Sequence, residues 1–304
     1  MKKSFIASTI MVLGLLFGNS YAAVNVFTCE PEWKALAKEI GGSNVSVFSA
    51  THAKQDPHHI RARPSFISKV RRADLVICSG AGLEAGWLPI LIQKGSARIQ
   101  PGSQGYLMAA DFVKVLEIPT SVDRSMGDIH PEGNPHVHLD PRNIKLVGKE
   151  LSNRLQKIDS TNANFYDERF KDFASRWDKA IVQWEANAAQ LRQKSIIVHH
   201  KSFAYLISWL NLQFAGSLEP RPGIPPTASH LESLLVKIRQ GQSADLIIRT
   251  AYESEEASNW LSKQTGIPAI QLPYTVGGDP EANDLFSLFD RSISLLVDTA
   301  SAYQ

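Results

Sequence analysis

Val24-Asn-Val-Phe-Thr-Cys-Glu-Pro-Glu-Trp-Lys-Ala-Leu-Ala-Lys-Glu-Ile-Gly-Gly-Ser-Asn-Val-Ser-Val-Phe48 reads as strand, helix, strand. Val24 to Thr28 is a short apolar run. Pro31 stands at the first helical position of Pro31 to Ile40, Gly41-Gly42 ends that helix, and Asn44 to Phe48 alternates as a strand does. The pattern then repeats. Pro64-Ser65 opens a helix that runs to Arg72, and Asp74-Leu-Val-Ile-Cys78 is a strand with a continuous apolar core. Gly80 to Gly86 is expected to begin a further helix through Trp87 to Ile92. Strands and helices in strict alternation, with apolar strands, imply an α/β fold whose parallel sheet is covered on both faces. In such sheets ligands bind beyond the carboxyl ends of the strands.

The same grammar returns in the second half. Asp140 caps a helix over Pro141 to Ile158, and a longer helix is expected from Asn162 to about Gln193. The apolar residues Phe165, Phe170, Phe173, Trp177, Ile181, Trp184, Ala188 and Leu191 recur there at helical spacing, which marks a packed face. Strands follow at Ser195 to His199, Gln213 to Leu218, Ala244 to Arg249 and Pro268 to Leu272. The intervening helices are Ser202 to Leu210, His230 to Gln240 and Glu253 to Thr265, and Leu285 to Tyr303 is the last. The expected architecture is two parallel-sheet βα lobes, over 23–161 and 194–304, joined by one long rigid helix over 162–193.

Met1-Lys2-Lys3, the apolar run Phe5 to Phe17 and the small residues Ser20 and Ala22 predict a signal peptide cleaved after Ala22. The apolar run is about 13 residues, against roughly 20 for a membrane span. The mature protein is therefore expected to be soluble and exported. Without Lys2 and Lys3 the 32 basic residues fall to 30, equal to the 30 acids. That balance argues against nucleic acid as a partner, and the chain is read as a monomer. Cys29 and Cys78 are the only cysteines. Each ends a strand-like run, and the first and third strands of a doubly wound sheet are neighbours, so a Cys29–Cys78 disulfide is expected in an exported protein. Gly80-Ala-Gly-Leu-Glu-Ala-Gly86 echoes a dinucleotide turn, but its glycines are misplaced for one.

Seven of the nine histidines fall in three clusters: His58-His59, His130 with His136 and His138, and His199-His200. His58 follows the second strand by about ten residues, and His199 ends a strand of the second half. Two apart on an extended segment, His136 and His138 are expected to point the same way. If the carboxyl edges of the two lobes face each other, His58, His136 and His200 converge in the cleft. Imidazole nitrogens suit zinc and other late divalent ions.

Asp56-Pro-His-His-Ile-Arg-Ala-Arg-Pro-Ser65, Asn134-Pro-His-Val-His-Leu-Asp-Pro141 and His200-Lys-Ser-Phe-Ala-Tyr205 resemble the three ligand segments of the zinc/manganese solute-binding proteins of ABC importers. The resemblance covers essentially the whole mature chain. It implies His58, His136 and His200 as metal ligands, capture of a divalent transition metal, and delivery to an inner-membrane ABC permease. Histidine at the third position resembles the zinc-binding members and glutamate the manganese-binding ones, so zinc is expected over manganese as the bound solute. Leu272-Pro273-Tyr274 stands where the family often has an aspartate, and His138 where it usually has an aromatic. Glu219 is the expected fourth ligand, with His59, His138, Asp279 or water as alternatives, and a salt bridge to Arg221 or Arg239 is the plainer reading of Glu219. His130 and His199 are read as neighbours of the site or as solvent-facing. The rival function is a secreted zinc hydrolase, since catalytic zinc keeps three protein ligands and an open position. No His-Glu-x-x-His supports it.

Overall fold

The computed structural model describes residues 23–123, 127–128 and 130–303; the expected signal peptide, 1–22, lies outside the described residues. The first sheet holds β1 (Val24–Thr28), β2 (Val45–Ser49), β3 (Leu75–Cys78) and β4 (Tyr106–Met108), in the order β2-β1-β3-β4 and parallel throughout. Its crossovers carry α1 (Pro31–Gly41), α2 (Pro64–Arg72) and α3 (Leu88–Lys94). Two helices follow, α4 (Pro141–Ile158) and α5 (Ala163–Asn187). The second sheet holds β5 (Ser195–Val198), β6 (Gln213–Ser217), β7 (Leu246–Arg249) and β8 (Ala269–Gln271), in the order β6-β5-β7-β8 and also parallel. It is wrapped by α6 (Ala204–Trp209), α7 (Ala228–Arg239) and α8 (Glu256–Thr265), and α9 (Leu285–Ala302) comes last. Two parallel-sheet lobes flanked by helices are thus what the alternating pattern implied.

Side-chain alternation along the strands sorts the core into three parts. Val24 and Val26 of β1, Leu75 and Ile77 of β3, and Leu107 of β4 join the same apolar cluster as Ile196 and Val198 of β5 and Leu246 and Ile248 of β7. The intervening residues Phe27, Val76, Cys78 and Met108 face a separate cluster under α2 and α3, and Ile197 and Ile247 face another under α7 and α8. One continuous core therefore joins the two lobes. At its middle lies α5: Trp177 and Trp184 pack on Phe286 and Phe289 of α9. Trp177 Nε1 donates to the Pro141 carbonyl at 2.7 Å and Trp184 Nε1 to Asp290 Oδ1 at 2.6 Å.

Three departures from the expected elements have local causes. The turn at Gly80–Gly82 is not helical. Gly80, Ala81 and Gly82 all have positive φ (77°, 47° and 82°), which no right-handed helix admits, and α3 begins only at Leu88. The long helix stops at Asn187, so its 25 residues span about 38 Å at 1.5 Å each; a 3₁₀ turn, Ala189–Leu191, follows. Strand β4 was unanticipated, because three residues leave too short a pattern to read. Cys29, just past the end of β1, and Cys78, the last residue of the neighbouring β3, form the expected disulfide with Cα atoms 4.9 Å apart.

Candidate metal centre

His58 sits in a 3₁₀ turn, Pro57–His59, beyond the end of β2. Asp56 caps that turn by accepting from His58 N at 3.0 Å, and its Oδ1 also meets His58 Nδ1 at 2.7 Å. Burial raises the Asp56 carboxyl, but the bonds and charge of His58 outweigh that and lower it. His136 follows Asn134-Pro135; the Asn134 side chain accepts from His136 N at 3.1 Å and so fixes the backbone. His200 follows β5, where its Nδ1 meets Glu219 Oε2 at 2.7 Å. Glu219, just past β6, also accepts from Gly223 N at 2.9 Å.

These three histidines come from segments remote in sequence, two from the first lobe and one from the second. Their ring centroids lie 5.4, 5.4 and 5.8 Å apart, and one ligand nitrogen from each lies within 4.8 Å of the others. His136 Nδ1 is held by the Tyr274 hydroxyl at 2.7 Å, while its Nε2 is buried without a partner among the described residues. A buried polar atom left unpaired costs free energy, and here it faces other imidazoles. Burial, then the neighbouring histidines, hold the His136 pKa well below the usual histidine value, so that ring is neutral. Burial also lowers His200, but the hydrogen bond and charge of Glu219 outweigh it and leave that pKa raised.

The other candidates are spoken for in different ways. His138 does not share the direction of His136, because Val137–Leu139 is a 3₁₀ turn rather than extended chain. Its ring is fully buried behind the cleft, with Nε2 on the Tyr274 carbonyl at 2.9 Å and Nδ1 3.2 Å from Glu32. Both nitrogens thus face oxygen. His59 is largely exposed, 3.6 Å from Asp128. Asp279 is engaged by Arg291 at 3.2 Å and by Glu281 N. His130 is drawn in: its Nε2 lies 3.2 Å from His58 Nε2, and burial with the nearby histidines pulls its pKa down to about 4. His199 lines the cleft with a buried Nδ1 that has no partner among the described residues. Sequence reasoning passed over Tyr274 as a supporting residue. The only signal was that it stands where an aspartate was expected.

A cavity of about 760 Å³ opens from His58 and His200 to solvent. Asp56, Asp128, Glu219, Glu232, Glu253 and Glu256 line it. Carboxylates around a low-dielectric cleft concentrate cations at its mouth. The arrangement suits a small cation held by nitrogen donors.

The family model described as "ZnuA: Zinc-uptake complex component A periplasmic" matches residues 26–299. Among curated relatives, the manganese ABC transporter substrate-binding lipoprotein PsaA of Streptococcus pneumoniae is 24% identical over 292 residues, covering 90% of each chain. Among solved structures, a ZnuA crystal structure superimposes with a TM-score of 0.74 at 19% identity, over 93% of this chain and all of that one. The Mn-bound periplasmic metal binding protein from Candidatus Liberibacter asiaticus gives 0.73 at 16% identity, over 90% and 98%. The expected preference for zinc over manganese is overturned here, since streptococcal relatives are named for manganese and a chain of this fold holds that ion. The physical reason is that one ligand's identity does not select the metal. Any nitrogen/oxygen site follows the same affinity order across the divalent ions, and geometry and supply decide which is carried. The match over nearly the whole length also sets aside the hydrolase. The chain belongs to the ZnuA family, the periplasmic solute-binding proteins of zinc- or manganese-type metal ABC transporters, and is a transport protein rather than an enzyme.

Proposed function

We propose that this protein captures one divalent transition-metal ion between its lobes, on His58, His136 and His200, and passes it to the membrane-embedded permease of its transporter. The observation that carries this reading is the convergence of three imidazoles from remote segments around a buried, unpartnered nitrogen. Two come from the first lobe and one from the second, so the ion bridges them. The acid-lined cleft supplies its path in. Glu219, the expected fourth ligand, is placed to orient His200: an oxygen bonded to Nδ1 and an ion bonded to Nε2 lie on opposite sides of one ring. The protein acts as an exported monomer, its residues 1–22 serving as the cleaved signal, with no nucleic-acid partner. The two-lobe division at 23–161 and 194–304 around the connecting segment 162–193 belongs to the same reading.

Titration calorimetry with zinc and, separately, manganese tests it on the wild type and on His58→Ala, His136→Ala and His200→Ala. Each replacement is expected to weaken binding by at least roughly 10-fold, the low end of what loss of even a supporting partner costs. Wild-type affinity retained in all three variants would end the proposal.

A further inference from the structure

We infer that His130 is the fourth ligand, so that the ion is held by four imidazoles. This rests on the metal-binding reading above and concerns who completes the coordination. His58 and His130 meet through their Nε2 atoms at 3.2 Å. In His58 the Asp56 carboxylate engages Nδ1, which leaves Nε2 as the nitrogen open to an ion. In His130 the nitrogen turned away from His58 is Nδ1, which lies against Gly82 and is hydrogen-bonded to that residue's backbone. Nε2 of His130 is likewise the nitrogen turned toward the cluster. Two ring nitrogens facing each other at this distance need a proton or a cation between them. The separation suits such a bridge, because 2.0–2.1 Å bonds in a tetrahedron set donors about 3.3 Å apart.

The same arrangement recurs in the other two rings. Glu219 holds Nδ1 of His200, and the Tyr274 oxygen holds Nδ1 of His136, whose Nε2 is the buried orphan. All four histidines are thus pinned at Nδ1 by oxygen, which is how ligating imidazoles are oriented. His130 adjoins the group through His58: its ring lies 5.2 Å from that of His58 and 6.5 Å from that of His136. Binding draws it inward. The competing fourth ligands are otherwise placed: His138 is fully buried with Nε2 on the Tyr274 carbonyl and Nδ1 beside Glu32, Asp279 meets Arg291, and Glu219 lies on the far side of His200.

X-ray absorption on the zinc-loaded full-length protein counts the imidazoles directly, with zinc serving as the probe ion. Four imidazoles are expected in the wild type, and three plus an oxygen in His130→Ala and His130→Gln, with affinity for zinc falling more than roughly 10-fold. Three imidazoles and an oxygen in the wild type, unchanged by either substitution, would overturn the inference while leaving the transport reading intact. A wild type that binds neither zinc nor manganese, or an imidazole count that survives replacement of His58, His136 and His200, would sink both.

Discussion

Glu30 and Glu84 show how much one buried residue can report. Both lie inside the first lobe beside the disulfide. Glu84 accepts from Ser79 N and Gly80 N at 2.8 and 3.1 Å, and Glu30 accepts from Ser79 Oγ at 3.3 Å. Burial pushes both carboxyls up, Glu84 to about 7, and the charge of Glu84 pushes Glu30 further. Because their folded values exceed the ordinary carboxyl value, the folded chain holds protons that the unfolded chain has released. The resulting stability is full below about pH 4.5 and is lost as pH rises through about 7, to the extent of roughly 3 kcal/mol at 1.36 kcal/mol per unit. Glu84→Gln, which imitates the protonated acid, is expected to flatten that loss. Urea unfolding of metal-free protein at pH 5, 6, 7 and 8 checks it, and equal slopes for the two proteins would refute it.

At the scale of elements, most of the fold was legible because each strand and helix carried its own punctuation. Pro31, Pro64 and Pro141 each stand at the first position of a helix, β3 is apolar throughout, and β5 and β7 each carry three consecutive apolar residues. What escaped was decided by backbone dihedrals or by tertiary contact. Three consecutive positive φ angles at Gly80–Gly82 leave no signature beyond two glycines. The turn at Val137–Leu139, which parts His136 from His138, looks extended in sequence. The convergence of His58, His136 and His200 was foreseeable from strand ends, whereas the place of Tyr274 against two histidines depends on where β8 ends. Helix α5 offers the sharpest element-level test. Trp177 is fully buried at the junction of α4, α5 and α9. Trp177→Ala is expected to cost about 3–5 kcal/mol, as aromatic truncations in cores do. A loss under about 1 kcal/mol in urea denaturation, the size of an ordinary surface change, would show that α5 is not the keystone of the shared core.

Across the whole molecule, the decisive fact is that the inner faces of both sheets feed one apolar cluster. Swinging the lobes apart would expose it, and burial on this scale is worth tens of calories per mole for every square ångström. A wide hinge is therefore closed to this protein, and binding is accommodated by small rocking or loop shifts. Small-angle scattering of metal-free and metal-loaded protein is expected to give superimposable profiles. A clear contraction on loading would contradict the shared core as the restraint.

Tyr274 adds a mechanical corollary. It follows the last strand of the second lobe, yet both its ends are fastened to the first, the hydroxyl to His136 and the carbonyl to His138. It works as a rivet through two plates. Whatever shifts this single buried residue tugs two imidazoles of the opposite lobe at once, so one point of the second lobe acts on both while the plates themselves stay together.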